Sequence, residues 1–123
     1  MDWSKKSVLI AEDEDTNYLL LVEYLEPTGI GIVRAINGYE VLEICNKNLP
    51  DLILMDMKMP LMTGYEATLK IRETNQMVPI IAQTAYAMVG DKDKILAAGC
   101  NDYISKPIVE EILISKIKNL FNC

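Results

Sequence analysis

Asp51-Leu52-Ile53-Leu54-Met55-Asp56-Met57-Lys58-Met59-Pro60 carries an unbroken apolar run from Leu52 to Met55, then a carboxylate and, four residues later, a proline. A segment with no polar side predicts a strand covered on both faces, the habit of a central strand in a parallel sheet. Asp56 stands at its carboxyl end. Ligands of open α/β sheets gather outside the carboxyl ends of the strands, so Asp56 is a candidate for chemistry as well as for capping the turn that follows.

Outward from this strand the same device recurs. Ser7-Val8-Leu9-Ile10-Ala11 is another apolar run, and it ends in Glu12-Asp13-Glu14-Asp15. Tyr18, Leu21, Val22 and Leu25 give residues 16–26 helical spacing, with acids in the first turn where the helix dipole favours them, and Pro27 and Gly29 end the helix. Residues 31–35 predict a second strand. Asn37 with Glu40 resembles a capping box opening a helix through Cys45, and Thr63 with Glu66 is a fuller one for a helix over 64–74. A fourth strand is expected over 78–82, with Pro79 at its start, where a missing N–H is tolerated. Gly90 interrupts the segment from Ala85 to Val89, so the next helix is placed from about Asp91 to Gly99. Asn101 to Ser105 predict a fifth strand leading into Lys106-Pro107. Glu110 to Phe121 predict a last helix with acids first and lysines near its end. Five strands alternating with five helices predict an α/β fold, a doubly wound parallel sheet covered on both faces.

Composition narrows the function. The 123 residues suit one domain, 1–123, and half of them are hydrophobic. No apolar run approaches the roughly 20 residues of a membrane span and no signal pattern opens the chain, so a soluble, cytoplasmic protein is expected, without membrane contact of its own. A net charge of −6 repels nucleic acid. Three scattered cysteines and no histidine exclude a disulfide framework, a zinc site and His-based triads.

The strand ends present Glu12 and Asp13, Asp56, Thr84 and Lys106 in turn. They converge if the first, third, fourth and fifth strands lie side by side. Carboxylates held together repel one another and recruit a cation. Magnesium is the expected one, since it takes hard oxygen ligands and binds through one or two carboxylates plus a phosphate. A hydroxyl from Thr84 and the Lys106 ammonium suit the oxygens of a phosphoryl group, and the set resembles a site in which Asp56 is a nucleophile. Asp13, Asp15 and Asn17 begin like a calcium loop, but Tyr18 and Tyr24 occupy its glycine and bidentate positions. Met55, Met57, Met59 and Met62 alternate through strand and turn and read as packing. Singly, each site residue has a structural explanation; their joint occurrence in register with the strands carries the argument.

The pair Glu12-Asp13, the segment Met55 to Pro60 with Gly64, Thr84-Ala85 and Lys106-Pro107 together resemble a response-regulator receiver domain over essentially the whole chain. The wording around Gly64-Tyr65-Glu66-Ala67-Thr68, Gly90-Asp91 and Ala98 to Tyr103 is similar to receivers of hybrid sensor histidine kinases. The resemblance implies a flavodoxin-like (βα)5 sandwich of strand order 2-1-3-4-5. It implies that Asp56 accepts a phosphoryl group from a phosphohistidine on a histidine kinase or histidine phosphotransfer protein. Asp13, Asp56 and the main-chain carbonyl of Lys58 would bind magnesium directly, and Glu12 through water. Lys106 would pair with Asp56 or the phosphoryl oxygens. Thr84 and Tyr103 would be the switch that changes the face of the fourth helix, fifth strand and fifth helix for a downstream output partner. The bond before Pro107 would be cis. Such a domain is a phosphoacceptor that assists its own phosphotransfer and autodephosphorylation, not an enzyme acting on a separate substrate. Three positions depart from the commonest pattern: Glu12 for an aspartate, Lys58 beside the site, and Gln83 where an apolar residue is usual. A phosphatase of the haloacid dehalogenase type would need an aspartate where Lys58 stands. A flavin binder would not place four acids in its phosphate loop.

Overall fold

Leu52 to Asp56 form a strand buried at every position, as a run with no polar side requires. The computed structural model describes residues 2–85 and 89–121. Its elements are β1 (Ser7–Ala11), α1 (Asp15–Leu25), a single 3₁₀ turn (Glu26–Thr28), β2 (Gly31–Ala35), α2 (Gly38–Lys47), β3 (Leu52–Asp56), α3 (Gly64–Thr74), β4 (Ile80–Thr84), α4 (Val89–Ala98), β5 (Asp102–Ser105) and α5 (Glu110–Phe121). The strands form one parallel sheet in the order β2-β1-β3-β4-β5. This is the doubly wound, flavodoxin-like arrangement.

Alternation along the strands divides the core in two. Leu9, Ile53, Met55, Ile80 and Ala82 pack with Val41, Ala67, Ile71 and Ile95 from α2, α3 and α4. Val8, Ile10, Leu52, Leu54 and Ile81 pack on the opposite face with Leu21, Leu25, Leu113 and Ile117 from α1 and α5. Pairing Ala11 with Met55, Asp56 with Gln83 and Thr84 with Ser105 brings the strand ends level along one edge.

Several boundaries differ from the sequence expectation. β4 begins two residues later and runs through Gln83 and Thr84, because pairing with Ile104 and Ser105 continues the ladder past the last apolar side chain. Val78 stays ahead of the strand, where its N–H donates to Asn75 Oδ1 and its carbonyl accepts from Arg72. α1 begins and ends one residue earlier than expected, and α2 continues two residues past Cys45. β5 begins at Asp102, because Asn101 is spent on holding β4: its side chain accepts from the Ile80 N–H. α4 begins at Val89, so Gly90 lies inside its first turn and does not break it. Tyr86, Ala87 and Met88, within the segment read as interrupted, lie outside the described residues, as does Cys123. The Lys106–Pro107 bond is cis, as the resemblance implied.

Thr63 caps α3 through the expected reciprocal box with Glu66. At α2 the Asn37 side chain accepts from the Glu40 N–H, but Glu40 reaches the N–H of Ile36 and not that of Asn37. That box is displaced by one residue.

Candidate functional site

Asp56 closes β3 with only 5% of its surface exposed. The Lys58 N–H donates to its Oδ1 at 3.0 Å, and Lys106 Nζ lies 3.1 Å from its Oδ2. Burial raises the Asp56 carboxyl to about 6; the Lys58 N–H opposes this, the Glu12 carboxylate beside it adds to it, and Lys106 opposes it again.

Glu12, one residue past β1, is fully buried. Its Oε1 lies 3.2 Å from Lys106 Nζ and also accepts from Asn17 Nδ2, while Oε2 accepts from the Glu14 N–H at 3.1 Å. Asp13 is exposed at the rim, and one oxygen from each of Glu12, Asp13 and Asp56 lies within 4.8 Å of the others. An all-oxygen set of three acids, with one member held well above the usual carboxylate range, is a site short of positive charge. It fits a hard divalent cation such as magnesium.

Lys106 reaches this cluster from the end of β5, where its N–H donates to the Thr84 carbonyl at 2.8 Å. Burial works against its ammonium, but Asp56 and then Glu12 outweigh it and raise the pKa. Thr84 is half-buried. It lines a cavity of about 260 Å³ shared with Asp13, Asp56, Lys58, Gln83 and Lys106. Tyr103 stands farther off, partly buried against the core that holds Ala82 and Ile95, its ring 5.0 Å from Lys92 Nζ and 5.3 Å from Lys116 Nζ.

Backbone geometry completes the site. A Cβ on Gly64 would stand 1.9 Å from the Asp56 carbonyl oxygen and 2.8 Å from Met55 Cγ, so the amino end of α3 approaches β3 as only glycine allows.

The fold thus brings together Glu12, Asp13, Asp56, Thr84, Lys58 and Lys106, and leaves Tyr103 outside the cluster. Three participants carry no sequence signal as partners of the acids. In the sequence Asn17 stands out only as an oxygen of a failed calcium loop, and Gln83 only as an unusual polar residue. Asn17 Nδ2 also donates to Gln83 Oε1 at 3.1 Å. Arg34 is a third, its Nε donating to the Glu12 carbonyl at 3.1 Å and its Nη2 lying 2.8 Å from Asp15. Cys100 lies in the core beneath α3 and α4, where burial pushes its thiol up to about 11.

Residues 8–118 match the family model for the response regulator receiver domain. The chain belongs to this family. The receiver is 40% identical over 116 residues to the polar-differentiation response regulator DivK of Brucella anthropi, covering 93% of this chain and 94% of that one. It superposes with a TM-score of 0.89, at 32% identity, on the receiver domain of a sensor histidine kinase from Pseudomonas aeruginosa, covering 96% and 98% of the two chains. That neighbour was crystallised with a magnesium ion coordinated in its active-site cleft. A third relative is the receiver domain of a Saccharomyces cerevisiae response regulator, solved together with its histidine phosphotransfer protein. It gives a TM-score of 0.88 at 34% identity over 94% of this receiver and 88% of that chain. Among the described residues of the receiver, no helix is long and apolar enough to cross a membrane.

Proposed function

We propose that this receiver is a phosphoacceptor switch of a two-component or phosphorelay pathway, and that Asp56 is the residue phosphorylated. The observation that carries this reading is the Lys106 ammonium set between Glu12 and Asp56, at 3.2 and 3.1 Å, at the edge where Asp13 completes a cluster of acids.

Asp13, Asp56 and the main-chain carbonyl of Lys58 would hold magnesium directly, with Glu12 acting through water. When bound, the ion supplies positive charge against the acids and the incoming phosphoryl oxygens. Asp56 supplies the nucleophilic oxygen: its bond to phosphorus forms as the phosphorus–nitrogen bond of a partner's phosphohistidine breaks, and the leaving imidazole takes up a proton. Lys106 then turns from the Asp56 carboxylate to a phosphoryl oxygen, and the Thr84 hydroxyl donates to another. Movement of Thr84 frees space into which Tyr103 turns, and this alters the surface of α4, β5 and α5 presented to an output partner. The change is a shift between two conformations, so its size is bounded by the partner's difference in affinity for them. The same groups assist hydrolysis of the acyl phosphate. The donor would be a histidine kinase or a histidine phosphotransfer protein, in the cytoplasm.

Incubation with acetyl phosphate and magnesium is expected to give a covalent label cleaved by hydroxylamine. Asp56→Asn abolishes it; undiminished labelling of this variant would reject the assignment.

A further inference from the structure

Gln83 has no place in the chemistry above, yet it is fully buried beneath the acids. Strand alternation turns it to the face of Ile81, toward α1 and α5, where it stands beside Asp56 of the neighbouring strand and lines the cavity shared with Asp13, Thr84 and Lys106. Its Oε1 accepts from Asn17 Nδ2, and that nitrogen also donates to Glu12 Oε1, the oxygen facing Lys106. The direction of this relay is fixed from the carboxylate end, because a carboxylate only accepts: Asn17 must present its N–H₂, and Gln83 must then present its oxygen. Gln83 Nε2 is left buried with no hydrogen-bond partner among the described residues.

That orphan nitrogen argues against a merely structural glutamine. Burying an unpaired amide N–H₂ is unfavourable, and a methionine would fill the same length of space without it. What methionine lacks is the acceptor for Asn17. Without that acceptor the asparagine amide is free to leave Glu12, and Glu12 loses the contact that fixes its rotamer opposite the Glu14 N–H.

We propose that Gln83 is a positioning residue of the phosphoacceptor site, acting through Asn17 to hold the Glu12 carboxylate where it shares a cation with Asp13 and Asp56. This rests on the reading of the cluster as a magnesium site. The stability lost at Nε2 is exchanged for a pre-set carboxylate.

Isothermal titration of the whole chain with magnesium alone, without phosphodonor, separates the two roles. Gln83→Met and Asn17→Ala are each expected to weaken magnesium binding roughly tenfold, the low end of what losing an outer-shell partner costs. The double variant is expected to bind no more weakly than either single one, since both remove one relay. Gln83→Met should also melt at or above the wild-type temperature. Wild-type affinity in Gln83→Met, wild-type affinity in Asn17→Ala, or losses that add in the double variant would overturn the proposal while leaving the magnesium site standing. A wild-type protein that takes up no magnesium would instead overturn the reading of the site itself.

Discussion

Asp56 lives with a charge its surroundings oppose. An aspartate in an unfolded chain titrates near 3.9, whereas burial lifts this one to about 6. Between those values the folded state keeps a proton that the unfolded state has released, so stability falls as pH rises from about 4 to about 6. Above that window the ionised carboxylate works against the fold; below it both states are protonated and the effect vanishes. In magnesium-free buffer at pH 7, Asp56→Asn is therefore expected to raise the urea-unfolding free energy by about 1–3 kcal/mol, the range a two-unit shift permits. The advantage should shrink toward zero by pH 4. Magnesium should narrow it from the other direction, by stabilising the wild type alone. A variant no more stable than wild type at pH 7 would mean that Asp56 is not held against its charge.

At the scale of the element, the contact between α3 and β3 decides how far Asp56 can be displaced. Alanine at Gly64 would drive a methyl group into the Asp56 carbonyl, and although the Met55 side chain can give way, the backbone carbonyl cannot without moving the strand end. Gly64→Ala is expected to lower stability by about 3 kcal/mol, the upper end of ordinary overpacking, and to weaken magnesium binding because the carbonyl that moves belongs to Asp56 itself. Urea midpoints and magnesium titration check both parts. The sequence showed this element well: an apolar run, a capping box and a glycine at its first helical position are all local signals. It showed β4 less well, because Gln83 and Thr84 are polar and a strand's end was read from polarity, whereas pairing with β5 holds them in the sheet. The acids were legible because each stands directly after an apolar run. The Glu12–Asn17–Gln83 relay was not, since it joins residues up to 71 positions apart and depends on strand order, register and the rotation of α1 together. No local pattern contains that information.

Taken whole, the molecule has two poles. The acids sit at the carboxyl ends of the strands. At the other end Trp3 is nearly buried, donates its main-chain N–H to the Thr28 carbonyl at 2.8 Å and meets Phe121 edge to face at 5.2 Å between ring centres, with Lys6 over the same Phe121 ring. Trp3→Ala is expected to lower the unfolding free energy by about 3 kcal/mol, as loss of a buried tryptophan commonly does, while leaving acetyl phosphate labelling of the folded protein intact. Impaired labelling at full folding would show that the poles are coupled.

The Trp3–Phe121 contact also fixes where the chain can be handled. Trp3 and Phe121 lie side by side about a strand's length, or roughly 17 Å, from the acids. A fluorescent label, a surface tether or a fused reporter attached beside Trp3 or Phe121 would sit on the side turned away from an approaching phosphodonor. The closeness of Trp3 to Phe121 also suits this fold to circular permutation: a short bridge between these two residues, with new ends opened in a loop elsewhere, leaves the acidic edge whole.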